Sequence, residues 1–125
     1  MKPINLLEDK FFIKLGNFSS NKTALAIVFE NPDLKDFVLT VLPKKALNVE
    51  FPIGCTVVEN KKTIQKRMIY KLCKLGLCSL YSMKEDVIGE ASDCEVYMFN
   101  LEELKKYDKK GVENYISTYN ENVKR

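Results

Sequence analysis

The sharpest alternation of apolar and polar positions lies between residues 61 and 75. Ile64, Met68, Leu72 and Leu75 recur at i, i+4, i+8 and i+11, which places them on one helical stripe. At about 100° per residue, Lys62, Thr63, Lys66, Arg67, Tyr70 and Lys74 project away from that stripe and Lys71 flanks it. Asn60 offers a cap at one end and Gly76 a stop at the other, so the pattern predicts a helix over 61–75. Leu77–Ser82 then predicts a strand, Met83–Asp93 with Gly89 a polar loop, and Cys94–Phe99 a second strand. In that second strand Glu95 and Tyr97 alternate with Val96 and Met98. Two strands around a polar tip predict a hairpin. Asn100 caps a helical stretch through Leu101–Lys109, and Gly111 interrupts it. A second piece over Val112–Val123 sets Val112, Ile116, Tyr119 and Val123 at 4-3-4 spacing, with Tyr115 beside them.

The N-terminal half is less decided. Phe11–Phe18 reads as a strand or an irregular lead-in. Ser19-Ser20-Asn21 supplies cap oxygens for a short apolar helix over about residues 22–29, and Asn31-Pro32-Asp33 ends it. Val38-Leu39-Thr40-Val41 starts with strand character; Thr40 can also cap a second helix running to about Leu47, with Pro43 in its first turn. A plain β-hairpin of Ala24–Phe29 and Phe37–Leu42 competes with these two helices. Residues 48–58, with Pro52 and Gly54, read as a connecting segment.

Composition excludes several classes. The apolar share of 46% and charged share of 30% are those of an ordinary globular domain. No apolar run approaches the roughly 18 residues of a membrane span. Met1-Lys2-Pro3-Ile4-Asn5 runs directly into Glu8, Asp9 and Lys10, without the apolar core of a signal peptide, so the expectation is a cytoplasmic protein of one domain over 1–125. The net charge of +3 decides little, but its distribution does. Lys61, Lys62, Lys66, Arg67, Lys71 and Lys74 form a run without an acid; Glu85, Asp86, Glu90, Asp93 and Glu95 form a run without a cation. Such segregation implies a partner-facing surface.

Chemistry is sparse. There is no histidine, no glycine-rich phosphate loop and no nucleophile elbow, so no enzyme and no cofactor are expected. Cys55, Cys73, Cys78 and Cys94 lack Cys-x-x-Cys spacing and read as buried thiols rather than a zinc site. The acids at 85–93 lack the order of an EF-hand loop and read as a solvated hairpin tip, with no metal.

Taken in order, these elements resemble the winged helix-turn-helix superfamily. The resemblance is carried by Ile69-Tyr70-Lys71-Leu72-Cys73-Lys74-Leu75-Gly76-Leu77-Cys78, a recognition-type helix ending in Leu-x-x-Leu-Gly-Leu, and by Val96-Tyr97-Met98-Phe99, a second wing strand. It covers about residues 22–105, with weak support in Glu30–Asp33 and Val38–Lys45. Two features depart from it: residues 48–60 exceed the usual tight turn, and the wing tip is acidic. The resemblance implies an α+β fold with a three-helix core, a two-stranded wing hairpin and a C-terminal helical extension over 101–125. It further implies a transcriptional regulator that binds double-stranded DNA.

Lys62, Thr63, Lys66, Arg67, Tyr70, Lys71 and Lys74 are the expected DNA-binding residues. Arg67 suits bidentate guanine contact, and Lys62, Lys71 and Lys74 suit phosphates. Val112, Tyr115, Ile116, Tyr119 and Val123 either pack back on the domain or pair with a second copy in a homodimer. Arg67-Met68-Ile69-Tyr70-Lys71-Leu72, Gly89 and Tyr97-x-Phe99-Asn100-Leu101 are also similar to the winged domain of archaeal transcription factor E, which implies RNA polymerase as a partner instead. A third class, a small α/β inhibitor or adaptor without a nucleic-acid role, gains if residues 24–42 form a hairpin.

Overall fold

The computed structural model describes residues 2–59, 63–81 and 94–123. Its first sheet is antiparallel, in the order β1 (Ile4–Leu6), β2 (Asp9–Asn17), β3 (Leu25–Glu30) and β4 (Phe37–Val38). Leu7 and Glu8 join β1 to β2 with φ of 49° and 73°, the positive-φ backbone of a two-residue hairpin loop. The second sheet has the order β5–β7–β6, from β5 (Cys55–Glu59), β6 (Cys78–Leu80) and β7 (Cys94–Phe99). Helix α1 (Thr63–Lys74) lies between β5 and β6 in the chain, and helix α2 (Leu101–Asn122) closes it.

The fold is α+β, but it is not a winged helix-turn-helix. Among the described residues two α-helices and seven strands in two sheets replace the expected three-helix core. The expected helix over 22–29 is strand β3. Leu25, Ile27 and Phe29 point inward while Ala26, Val28 and Glu30 are half-buried, a period of two rather than 3.6. Asn21 does not cap a helix: its Oδ1 accepts from the Thr23 N–H and hydroxyl, and its Nδ2 donates to the Ala46 and Val49 carbonyls. Asn31 likewise shapes a turn between strands, accepting from the Asp33 N–H at 2.7 Å and donating to the Lys10 carbonyl at 2.8 Å.

The expected second helix contracts to a 3₁₀ turn at Lys44–Ala46. Thr40 is occupied elsewhere, because its hydroxyl accepts the Ile27 N–H at 3.1 Å. Leu39 donates to the Ile27 carbonyl and Val41 to the Val57 carbonyl, with an antiparallel bridge from Thr40 to Val58. Residues 39–41 therefore stitch the first sheet to the second. The segment read as a plain connection holds all but the last residue of β5, whose Thr56-Val57-Val58 run suits a pleated, doubly covered strand.

Alternation divides the core. Val58, Tyr97 and Phe99 face a large cluster that contains the inner face of the first sheet and both helices. On the opposite face Cys55, Val57 and Val96 pack with Ala24, Ala46 and Phe51. The second sheet is thus covered on both sides.

Asn100 caps α2 as expected, accepting the Glu103 N–H at 3.2 Å. The interruption falls at Asp108, not at Gly111: φ −151° and ψ 75° take Asp108 out of the helix. Its Oδ1 accepts the Gly111 N–H, restarting the helix as an N-cap would, and its Oδ2 accepts the Leu15 N–H at 3.0 Å. Leu15 lies on the edge of β2 that β1, paired only with residues 9–11, leaves open. Gly111 is required by space, since a Cβ there would lie 2.6 Å from the Asp108 carboxyl carbon.

Farther along, the buried Tyr115 hydroxyl donates to the Thr23 carbonyl at 3.0 Å and accepts the Gly54 N–H at 2.9 Å. Tyr119 donates to the Phe51 carbonyl at 2.7 Å. Replacing Tyr115 with Phe leaves a buried donor and a buried acceptor unpaired, so urea denaturation is expected to find the variant about 2–4 kcal/mol less stable. An unchanged midpoint would remove the clasp. Burial also pushes the Tyr115 and Tyr119 hydroxyls up, the Tyr97 hydroxyl up to about 12 and the Cys55 thiol up to about 11. The unfolded chain loses these protons at about pH 8.5 for Cys and 10 for Tyr, while the folded chain keeps them. Folded stability is therefore full below that range and falls as pH rises through it. The urea midpoint should decline from about pH 9 upward, and a midpoint level to pH 11 contradicts this.

Candidate nucleic-acid interface

Helix α1 is built from good helix formers; Gln, Lys, Arg, Met and Leu supply seven of its twelve residues. Its end is a Schellman motif. The Gly76 N–H donates to the Cys73 carbonyl and the Leu77 N–H to the Leu72 carbonyl, both at 3.0 Å, while Gly76 takes φ +77°. Leu72 and Leu77, the pair that packs across such a cap, are both 1% exposed.

The apolar face is rotated from the expected stripe. Met68, Ile69 and Leu72 are buried, whereas Ile64 and Leu75 remain 47% and 46% exposed. Ile69 takes the place given to Ile64, because the helix lies over β5 and β7 with Gln65, Lys66 and Ile69 against Val58, Glu59 and Tyr97. Each of the three buried side chains contributes about 1.5–3 kcal/mol by leaving water.

The outer face keeps the residues assigned to it. Thr63, Lys66, Arg67, Tyr70, Lys71 and Lys74 are all exposed. At about 100° per residue they share an arc of about 140°. Lys62, Lys61 and the cap residue Asn60 lie outside the described residues. None of Lys66, Arg67, Lys71 and Lys74 pairs with an acid among the described residues. The Lys74 ammonium stands 5.0 Å from the centre of the Tyr70 ring, which is 63% exposed. The spacing i, i+4 makes this contact, and it was readable from the sequence.

The hairpin behind the helix is present as β6 and β7, with Cys78, Ser79 and Leu80 opposite Phe99, Met98 and Tyr97. It is not a free wing, because β7 also pairs along its length with β5. The hairpin forms the platform on which α1 rests. The loop expected over 83–93, including Gly89 and the acids Glu85, Asp86, Glu90 and Asp93, lies outside the described residues.

Of the residues proposed for dimerisation, Val112, Tyr115 and Tyr119 are buried in the chain's own core; Ile116 and Val123 are half-buried against it. The packing alternative therefore accounts for this stripe.

A second cationic surface surrounds the break in α2, where an open cleft of about 510 Å³ is lined by Lys14, Lys105, Lys106, Lys109 and Lys110. There Lys14, Lys105 and Lys106 are paired with Glu30, Glu102 and Glu103, and the Asp108 carboxylate stands among them. Cys55 and Cys78 are buried and Cys73 and Cys94 half-buried, and no group of His, Cys, Asp and Glu suited to a metal occurs among the described residues. No described helix is long and apolar enough to cross a membrane. No protein-family model, curated protein or solved structure matches the chain.

Because the platform meets α1 through the Gly76 turn, Gly76→Ala forces a β-carbon into left-handed backbone and should cost about 1–2 kcal/mol. A Cβ at this position meets nothing within 4 Å, so the loss is conformational. A thermal melt checks this, and a melting point equal to that of the parent chain rejects it.

Proposed function

We propose that this chain binds duplex DNA through the outer face of α1. One observation carries the reading: four exposed cations and an aromatic ring share one helical face, with no acid paired to them among the described residues. Twelve residues at about 1.5 Å each make a rod of about 18 Å, and the major groove admits a helix. Arg67 offers a rigid fork to guanine N7 and O6. Lys66, Lys71 and Lys74 neutralise phosphates, and Thr63 and Tyr70 offer hydroxyls between them. Presentation is by a sheet beneath the helix, not by a helix-turn-helix.

A second reading, a mixed α/β adaptor with no nucleic-acid role, is favoured by the β3–β4 hairpin, since Leu25–Glu30 and Phe37–Val38 are strands rather than helices. One titration separates the two. Three phosphate contacts, from Lys66, Lys71 and Lys74, give a slope of log affinity against log salt of about −2.7. Substituting Lys66 and Arg67 with alanine removes about a third of that slope and, through the lost Arg67 contact, weakens binding at low salt as well. Both side chains are exposed, so the far-ultraviolet circular dichroism of the variant should match that of the parent. Equal affinity of parent and variant for duplex DNA, or none in either, rejects the proposal in favour of the adaptor.

A further inference from the structure

We propose that Cys73 and Cys78 form a reversible dithiol–disulfide couple, a site of thiol exchange with low-molecular-weight disulfides at the junction of α1 and β6. The two Sγ atoms lie 3.5 Å apart. A disulfide bond measures about 2.05 Å, so about 1.5 Å of closure joins them. Their approach is imposed by the backbone. The Schellman turn at Gly76 reverses the chain directly after Cys73, and its two hydrogen bonds hold the residues on either side. Beyond the turn, Cys78 enters β6 opposite Phe99, and the Leu77 carbonyl accepts the Asn100 N–H at 2.8 Å. The missing Cys-x-x-Cys signature is thus replaced by a longer spacing folded back on itself.

The two thiols are not equivalent. Cys73 is half-buried and Cys78 is 8% exposed. Cys78 lines an open groove of about 440 Å³ with Gly76, Ser79, Met98, Phe99 and Asn100, while the half-buried Cys73 meets solvent outside that groove. The Cys73 thiolate attacks one sulfur of the external disulfide, forming a mixed disulfide and expelling one thiolate. Cys78 then gives up its proton to solvent and attacks the Cys73 sulfur, expelling the second thiolate, which is protonated. The protein loses two electrons and two protons, and the external disulfide is reduced to two thiols. Burial, together with the charge and hydrogen bond of Cys73, pushes the Cys78 thiol up, which makes it the later nucleophile. Capture of Cys73 in the mixed disulfide removes the part due to its charge.

The other two cysteines are poorly placed to compete. Cys55 and Cys94 belong to the cluster on the opposite face of the second sheet. Cys94 pairs with Glu59, four residues along β5 from Cys55, a separation of about 13 Å at strand rise. The couple does not depend on what α1 binds.

The full chain is incubated with oxidised glutathione, blocked with N-ethylmaleimide and weighed intact, then digested with trypsin, which cuts after Lys74. Expected is the loss of two hydrogen atoms and a pair of peptides, one with Cys73 and one with Cys78, joined until dithiothreitol is added. The Cys55→Ser/Cys94→Ser variant behaves in the same way. Cys78→Ser, checked for folding by circular dichroism, instead retains glutathione on Cys73. Overturning results are no oxidation, a persistent glutathione adduct on the parent chain, or cross-links that map to Cys55 or Cys94.

Discussion

The Tyr115 hydroxyl is the point on which both sheets close. It takes the Gly54 N–H just before β5 begins and gives its proton to the Thr23 carbonyl just before β3 begins. One oxygen thus anchors the entry of β5, an edge strand of the second sheet, and the entry of β3, an inner strand of the first. Tyr119 repeats the device at the Phe51 carbonyl. These loops carry backbone groups that no strand partner satisfies, and a buried unpaired amide or carbonyl is costly. The C-terminal half of α2 therefore belongs to the core, although its 4-3-4 spacing suits a subunit interface equally well.

Asp108 makes that clasp reachable. A straight helix from Leu101 would continue in the direction set by its Asn100 cap. The break at Asp108 restarts it with a carboxylate cap, and the same carboxylate ties the restart to the open edge of β2 through Leu15. Gly111 follows as a consequence, because the carboxylate fills the space a Cβ would need. The sequence marks an interruption at the glycine, whereas the aspartate three residues earlier causes it.

What the sequence made legible is what local chemistry decides. The β7 strand, the Asn100 cap, the Gly76 stop and the cationic face of α1 rest on neighbours within a few residues, and each is found where it was expected. In the N-terminal half the strand reading of Phe11–Phe18 is met by β2 and the competing hairpin by β3 and β4, whereas the two helices read over 22–47 failed where long-range partners decide. Cap residues such as Asn21 and Thr40 look alike whether their oxygens serve a helix or a distant strand, and here they serve Thr23 and Ile27. The Thr56-Val57-Val58 run carried a strand signal, which the flanking Pro52 and Gly54 masked. The helix stripe was misplaced because Ile64 and Ile69 both fit an apolar face, and only the position of β5 and β7 beneath the helix chooses between them. The outer residues survive that rotation, since it shifts the buried edge more than the opposite arc.

Whether that arc is more than a solvated surface can be argued from the chain itself, because α2 provides the contrast. In its first turns lysines are interleaved with acids: the half-buried Lys105 pairs with Glu102 at 3.0 Å and the exposed Lys106 with Glu103 at 2.7 Å, the i, i+3 habit of a solvated helix. On α1 no acid occurs in the helix at all. The helix dipole favours Lys71 and Lys74 in the last turn, so those two are explained by helix stability alone. Lys66 and Arg67 are not, because a cation in the first half gains nothing from the dipole and repels its neighbours. Two cations that the helix dipole does not favour, on a face turned away from the core, are what the proposed DNA contact would use.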